Sequence, residues 1–113
     1  MNLLMLVRIF MDKHPEYSTE RGAKCQCWRA SVKFARMCRI YGYAAHVGSG
    51  YMHGSYHAVV IVNSIIIDFT ARQFKGDYPP VRVKKLDLSF EIDHHYDYML
   101  EPLPDRSWEE QYA

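Results

Sequence analysis

Residues 57–70 constrain the chain more than any other stretch. Two runs rich in β-branched residues, HAVVIV (57–62) and IIIDFT (65–70), are separated by only Asn63-Ser64. Such runs suit a pleated, buried surface, and two polar residues between them suit a tight hairpin turn. The fold must therefore contain an antiparallel pair with an apolar face to cover. The cover is in the preceding sequence. At 100° per residue over 27–41, Cys27, Ser31, Phe34, Cys38 and Tyr41 share one helical face, flanked by Ala30 and Ala35, while Arg29, Lys33 and Arg36 take the opposite one. Gly42 follows where a helix C-terminus favours glycine.

Less regular segments complete the order. Residues 2–13 read as a helix stopped by His14-Pro15. YAAHV (43–47) reads as a short strand, GSGYMHGS (48–55) as a glycine-rich loop, and VRVKKLDL (81–88) as an edge strand after Pro79-Pro80. A short helix is expected from Asp105. Helices followed by antiparallel strands make an α+β fold, and 113 residues suffice for one domain, 1–113, with one core.

Charge excludes some functions and leaves others. A net charge of +1 argues against nucleic acid as a partner held by bulk electrostatics. Arg21, Lys24, Arg29, Lys33, Arg36 and Arg39 nevertheless crowd one region, and residues 86–113 carry eight carboxylates against Arg106. The simpler expectation is that this acidic C-terminal segment lies across the basic helix face, the sharper one that the basic patch meets an acidic partner. The opening MNLLMLVRIFM has no basic n-region, is broken by Arg8 and runs into Asp12-Lys13-His14-Pro15, so a packed helix is expected rather than a leader. No run reaches the length of a membrane span, so no membrane partner is expected. Three cysteines without an export signal predict free thiols and a cytoplasmic location.

The thiols carry the chemistry. Cys27 opens the central helix, where the dipole and unpaired N–H groups favour a thiolate and could bind an oxyanion. Cys25 lies in the preceding loop and reads as a bystander; Cys38 falls on the apolar face and reads as core. In the hairpin, position 57 lies nearly opposite 68–70, bringing His57 and Asp68 within reach, so that the carboxylate can orient the imidazole. If the sheet packs on the helix, His57 faces Cys27. A buried core cysteine and a metal ligand are the competing readings of Cys27. A zinc site from Cys25 and Cys27 with Cys38, His53 or His57 lacks finger or ribbon spacing, and one intervening residue suits a redox dithiol poorly. His46 and His53 have no evident task, and His94-His95 reads as a surface pair. No metal and no cofactor is expected.

At these residues the chain resembles the transglutaminase-like, papain-like cysteine enzymes. Their pattern has a cysteine opening a helix, a glycine about fifteen residues on, a small-residue strand, Gly-Tyr, His-Ala-aromatic and Asp-x-Thr. Here Cys27 and Gly42, Gly50-Tyr51, His57-Ala58 and Asp68-Phe69-Thr70 fall in that order, and DFTARQF is similar to the Asp-x-Thr-x-x-Gln-Phe ending of small bacterial members. The likeness covers about 22–74. The pattern often has glycine where this chain has Cys25, and commonly an aromatic at Val59. The resemblance implies a central helix carrying the nucleophile packed on a small antiparallel sheet carrying His57 and Asp68. It implies a Cys27–His57–Asp68 triad acting on a peptide bond or glutamine side chain of a protein or peptide, through a thioester. Gln26 is a candidate oxyanion donor; Trp28 and Tyr51 are candidate groove walls. Gln73-Phe74 is expected to be structural, a buried amide tying the strand end with its ring in the core. A catalytically inactive binding or inhibitor module on the same fold is the rival reading, and oligomeric state is left open.

Overall fold

A computed structural model describes residues 1–101. Helix α1 (Leu3–Lys13) begins at Asn2, whose side-chain oxygen accepts from the Met5 N–H at 2.9 Å. A 3-10 turn over Pro15–Ser18 and the short helix α2 (Glu20–Ala23) lead to α3 (Cys27–Ile40). Five strands follow: β1 (His46–Met52), β2 (Ser55–Val62), β3 (Ile65–Asp68), β4 (Arg82–Lys85) and β5 (Phe90–Ile92), with 3-10 turns over Ala71–Gln73 and His94–Met99. They form one antiparallel sheet in the order β4-β3-β2-β1-β5. The architecture is α+β, as the sequence indicates.

Helix α3 ends as its glycine demands. Gly42 takes φ +88°, its N–H donates to the Arg39 carbonyl at 3.1 Å and the Tyr43 N–H to the Cys38 carbonyl at 3.0 Å, the two bonds of a Schellman motif. The same face that sequence phase assigns to the core buries Cys27, Ser31, Phe34 and Cys38. Tyr41, placed on that face by phase alone, is half exposed because the chain has already left the helix there. Arg36 departs from the phase in the other direction. It is buried, and its guanidinium donates to the Met99 carbonyl, so the turn over His94–Met99 covers the opposite face at Arg36 while Arg29 stays exposed. The described part of the acidic segment reaches this face, with Arg39 3.8 Å from Asp97 and 3.4 Å from Glu101. The helix expected from Asp105 lies outside the described residues.

The sheet's two faces are unlike. Ala58, Val60 and Val62 alternate toward α3 and share a core with Phe34, Val47, Ile67 and Phe69, sealed by Phe10 of α1, whose ring lies 4.5 Å from Phe69 and 5.3 Å from Phe34. Val59, Ile61 and Ile66 pack on the other face with Phe90. The expected strand over 43–47 and loop over 48–55 are corrected. β1 runs from His46 through the glycines to Met52, and His53-Gly54, at φ +53° and +78°, make a second two-residue hairpin turn. The edge strand is the expected segment shortened to 82–85, and β5 has no counterpart in the sequence reading.

Candidate active site

The hairpin register fixes His57 and Asp68. Val60 pairs with Ile67 and Val62 with Ile65, which places Asp68 across from Val59, one diagonal step from His57. His57 Nε2 lies 2.8 Å from Asp68 Oδ2, and neither residue has more than a sliver of exposed surface, 0% for His57 and 4% for Asp68. The second carboxylate oxygen is also occupied: Oδ1 accepts from the Thr70 N–H at 2.9 Å and from its hydroxyl at 3.4 Å. Thr70 thus holds Asp68 in place for the ring, which explains the Asp-x-Thr order in structural terms.

Cys27 supplies the third group. It is the first residue of α3, 7% exposed, and its sulfur is hydrogen-bonded to the His57 side chain and to the backbones of Ala58 and Trp28. Burial works to raise the thiol's pKa, but the His57 bond, the two backbone bonds and the charge of His57 together bring it below a thiol's ordinary value. The converse holds for His57. Burial favours the neutral ring, yet hydrogen bonds to Asp68 and Cys27, with their charges, push its pKa up to about 9. Opposite shifts on adjacent groups favour transfer of the thiol's proton to the imidazole. Cys38, fully buried without such partners, has its thiol pushed up to about 12 by burial.

The other expected residues separate. Trp28, half exposed, carries Arg29 5.6 Å from its ring centroid. Tyr51 is exposed and pairs with Tyr56 across β1 and β2; both line an open groove with Ser49, Leu88, Ser89 and Glu91. Burial raises the Tyr56 phenol's pKa, with smaller contributions from Tyr96, Asp93 and the charge of Cys27. Gln26 occupies the N-cap position, but its side chain makes no capping bond, and the backbone groups bound to the sulfur are those of Ala58 and Trp28. Cys25 is exposed with φ +60°, a conformation that suits glycine. His46 is bound to Asp97 at 3.2 Å, His94 to Asp97 at 2.7 Å, and His53 to Tyr78 at 2.9 Å, all apart from the thiol. Among the described residues no group of three or more His, Cys, Asp or Glu side chains is placed to hold a metal ion, and no helix is long and apolar enough to cross a membrane.

Three neighbours of His57 are not assigned to the site by the sequence reading, which takes Gln73-Phe74 as structural and does not single out Phe90. Gln73 and Phe74 do not merely close the strand. The Gln73 amide bridges the Cys25 N–H and His57, both at 3.1 Å, and the Phe74 ring stands edge-on 5.0 Å from the imidazole instead of entering the core. Phe90 approaches the same ring from β5 at 6.2 Å. The one available signal was Gln73-Phe74 itself, five and six residues beyond Asp68.

No family model matches the chain, and no curated protein and no solved structure matches it.

Proposed function

We propose that this chain is a transglutaminase-like cysteine hydrolase or acyltransferase that cleaves an amide, either a peptide bond or a glutamine side chain, through Cys27, His57 and Asp68. The observation that carries the reading is the continuous chain of contacts from the Cys27 sulfur through the His57 ring to Asp68, with the sulfur at a helix N-terminus. The hydrogen bond between Cys27 and His57 also favours an enzyme over an inactive binding module, which has no need to keep those two groups in contact.

The chemistry follows from the groups. His57 takes the proton from Cys27, leaving the electron pair on sulfur, and Asp68 stabilises the imidazolium. The thiolate adds to the amide carbonyl, and the oxyanion is received by N–H groups at the start of α3, with the Gln26 amide as a second candidate donor. His57 then returns its proton to the departing nitrogen, the C–N bond breaks and a thioester remains. Water or a primary amine, deprotonated by His57, adds to the thioester and expels the thiolate. Tyr51, which lines the open groove, is a candidate wall for a peptide substrate, and the exposed Trp28 ring beside the nucleophile is a second. Neither a metal nor an organic cofactor enters this scheme.

Iodoacetamide labelling resolved by peptide mass spectrometry, followed by ammonia release from a glutamine peptide and hydrolysis of a peptide library, tests the reading. Cys27 should alkylate faster than a free thiol at pH 6–7, and turnover should be lost in Cys27→Ala but kept in Cys25→Ser. Full activity in Cys27→Ala, or alkylation of Cys27 no faster than a free thiol, rejects it.

A further inference from the structure

Gln73 stands between the turn before the nucleophile and the base, and the identity of each atom can be deduced. The Cys25 backbone N–H can only donate, so the Gln73 atom 3.1 Å from it is the carbonyl oxygen Oε1. The other end of the amide, 3.1 Å from His57 Nδ1, is then the NH2 group, also a donor. In the neutral ring Nδ1 is therefore the unprotonated, accepting nitrogen, and the ring's proton sits on Nε2, facing Asp68 Oδ2 at 2.8 Å. With Nε2 given to Asp68, Nδ1 is the nitrogen left for the Cys27 thiol, which shares that nitrogen's single lone pair with the Gln73 NH2 group.

We propose that Gln73 is a positioning residue of this same site: its amide, oriented by the Cys25 N–H, holds His57 in the Nε2–H tautomer and keeps Nδ1 as the proton acceptor. The inference rests on reading Cys27, His57 and Asp68 as the reacting unit. When the Cys27 S–H bond breaks and an Nδ1–H bond forms, the Gln73 NH2 group faces a donor and its bond to the ring is lost. The amide can restore it only by turning over, so that Oε1 accepts from Nδ1–H. The Cys25 N–H then loses its acceptor and passes to water, which the exposed turn admits. Proton uptake by the base is in this way tied to the turn that carries both thiols. Gln73 opposes the other neighbours of the ring: Asp68 and Cys27, the ionisable groups acting on His57, favour its charged form, whereas a donor at Nδ1 favours the neutral one.

Nitrogen-15 NMR of histidine-labelled protein tests this, with the His57 signals assigned by difference from His57→Gln. In the neutral ring, Nε2 should carry the proton. Gln73→Glu replaces the amide by a nearly isosteric carboxylate that accepts from both Cys25 N–H and Nδ1–H, and the His57 midpoint should rise by about one to three pH units. Gln73→Met, which removes the donor without adding charge, should give a smaller upward shift and serves if the glutamate variant does not fold. A neutral ring protonated on Nδ1, or a midpoint that stays or falls in these variants, overturns the inference. The titration needs no turnover. An inactive protein with the expected shift rejects the enzyme reading alone, and an active one without it rejects the role of Gln73 alone.

Discussion

The Phe90 ring lies over the bare backbone of Gly50. The two residues pair across β5 and β1, and His57 pairs with Gly50 on the other side, so the missing side chain is what lets the ring reach the imidazole. A Cβ on Gly50 would meet the Ser89 carbonyl oxygen at 2.1 Å and Phe90 Cδ1 at 2.9 Å. The first contact is with backbone, so β5 itself must move. Gly50→Ala should destabilise the protein by about 1–3 kcal/mol in urea unfolding. It should also wet the base, seen as a changed His57 titration. A variant as stable as the parent would mean that β5 does not pack on β1 as described.

The hairpin between β2 and β3 offers a gain. Asn63 and Ser64 both have positive φ, +51° and +60°, the pattern of a type I′ turn, in which glycine is preferred at the second position. Serine there bears the cost of the left-handed region, roughly 1–2 kcal/mol. Ser64→Gly should therefore raise stability by about 1 kcal/mol, after allowance for glycine's freedom in the unfolded chain. A loss of stability on that substitution would contradict the turn geometry. The substitution lies at the far end of the hairpin from His57, so reactivity at Cys27 should be unchanged.

This hairpin and α3 were legible because each rests on a short-range pattern: β-branched runs around a two-residue turn, and an apolar stripe opened by cysteine and closed by glycine. Together they predicted the juxtaposition of Cys27, His57 and Asp68. What escaped depends on contacts far along the chain. The glycines of β1 look like loop residues until Ile61 is seen to fill the space beside Gly48 and Phe90 the space beside Gly50. Arg36 looks like surface until Met99, 63 residues away, accepts its hydrogen bond. Gln73 is ambiguous for the same reason, since Cys25 lies 48 residues before it.

Residues 94–100 behave as a strap fastened at several points. Arg36 holds Met99, Arg39 and His46 hold Asp97, and Leu100 is fully buried beside α3 in the main core. The ionic fastenings are partly exposed and contribute little by themselves. The apolar anchor dominates: Leu100→Ala should cost about 2–5 kcal/mol, and Asp97→Asn less than about 1 kcal/mol, in the same unfolding assay. Hydrogen exchange should show faster opening of the Leu100 amide, bound to the Asp97 carbonyl at 3.1 Å, in the first variant only. The reverse ranking would show that charge, not burial, closes this end of the domain.

Replacing Asp68 by asparagine separates the charge at the base from its shape. In the native protein His57 titrates at about 9, against about 6.5 for an unfolded histidine. Between these values the folded state binds a proton that the unfolded state releases. The stabilisation from this group is therefore fully present below about pH 6.5 and is lost as pH rises through about 9. Asp68→Asn keeps the size and an oxygen for Thr70 but removes the negative charge, so the His57 midpoint should fall toward neutrality. The stability penalty should be about 1–3 kcal/mol at pH 6 and shrink by pH 9.5. The lowered pKa of Cys27 depends on His57, so the acid side of its alkylation profile should move to higher pH in the same variant. Urea unfolding at the two pH values, with iodoacetamide rates from pH 5 to 9, reads both effects. A penalty equal at both pH values, or growing with pH, would show that Asp68 acts on the fold without holding the charge of the base.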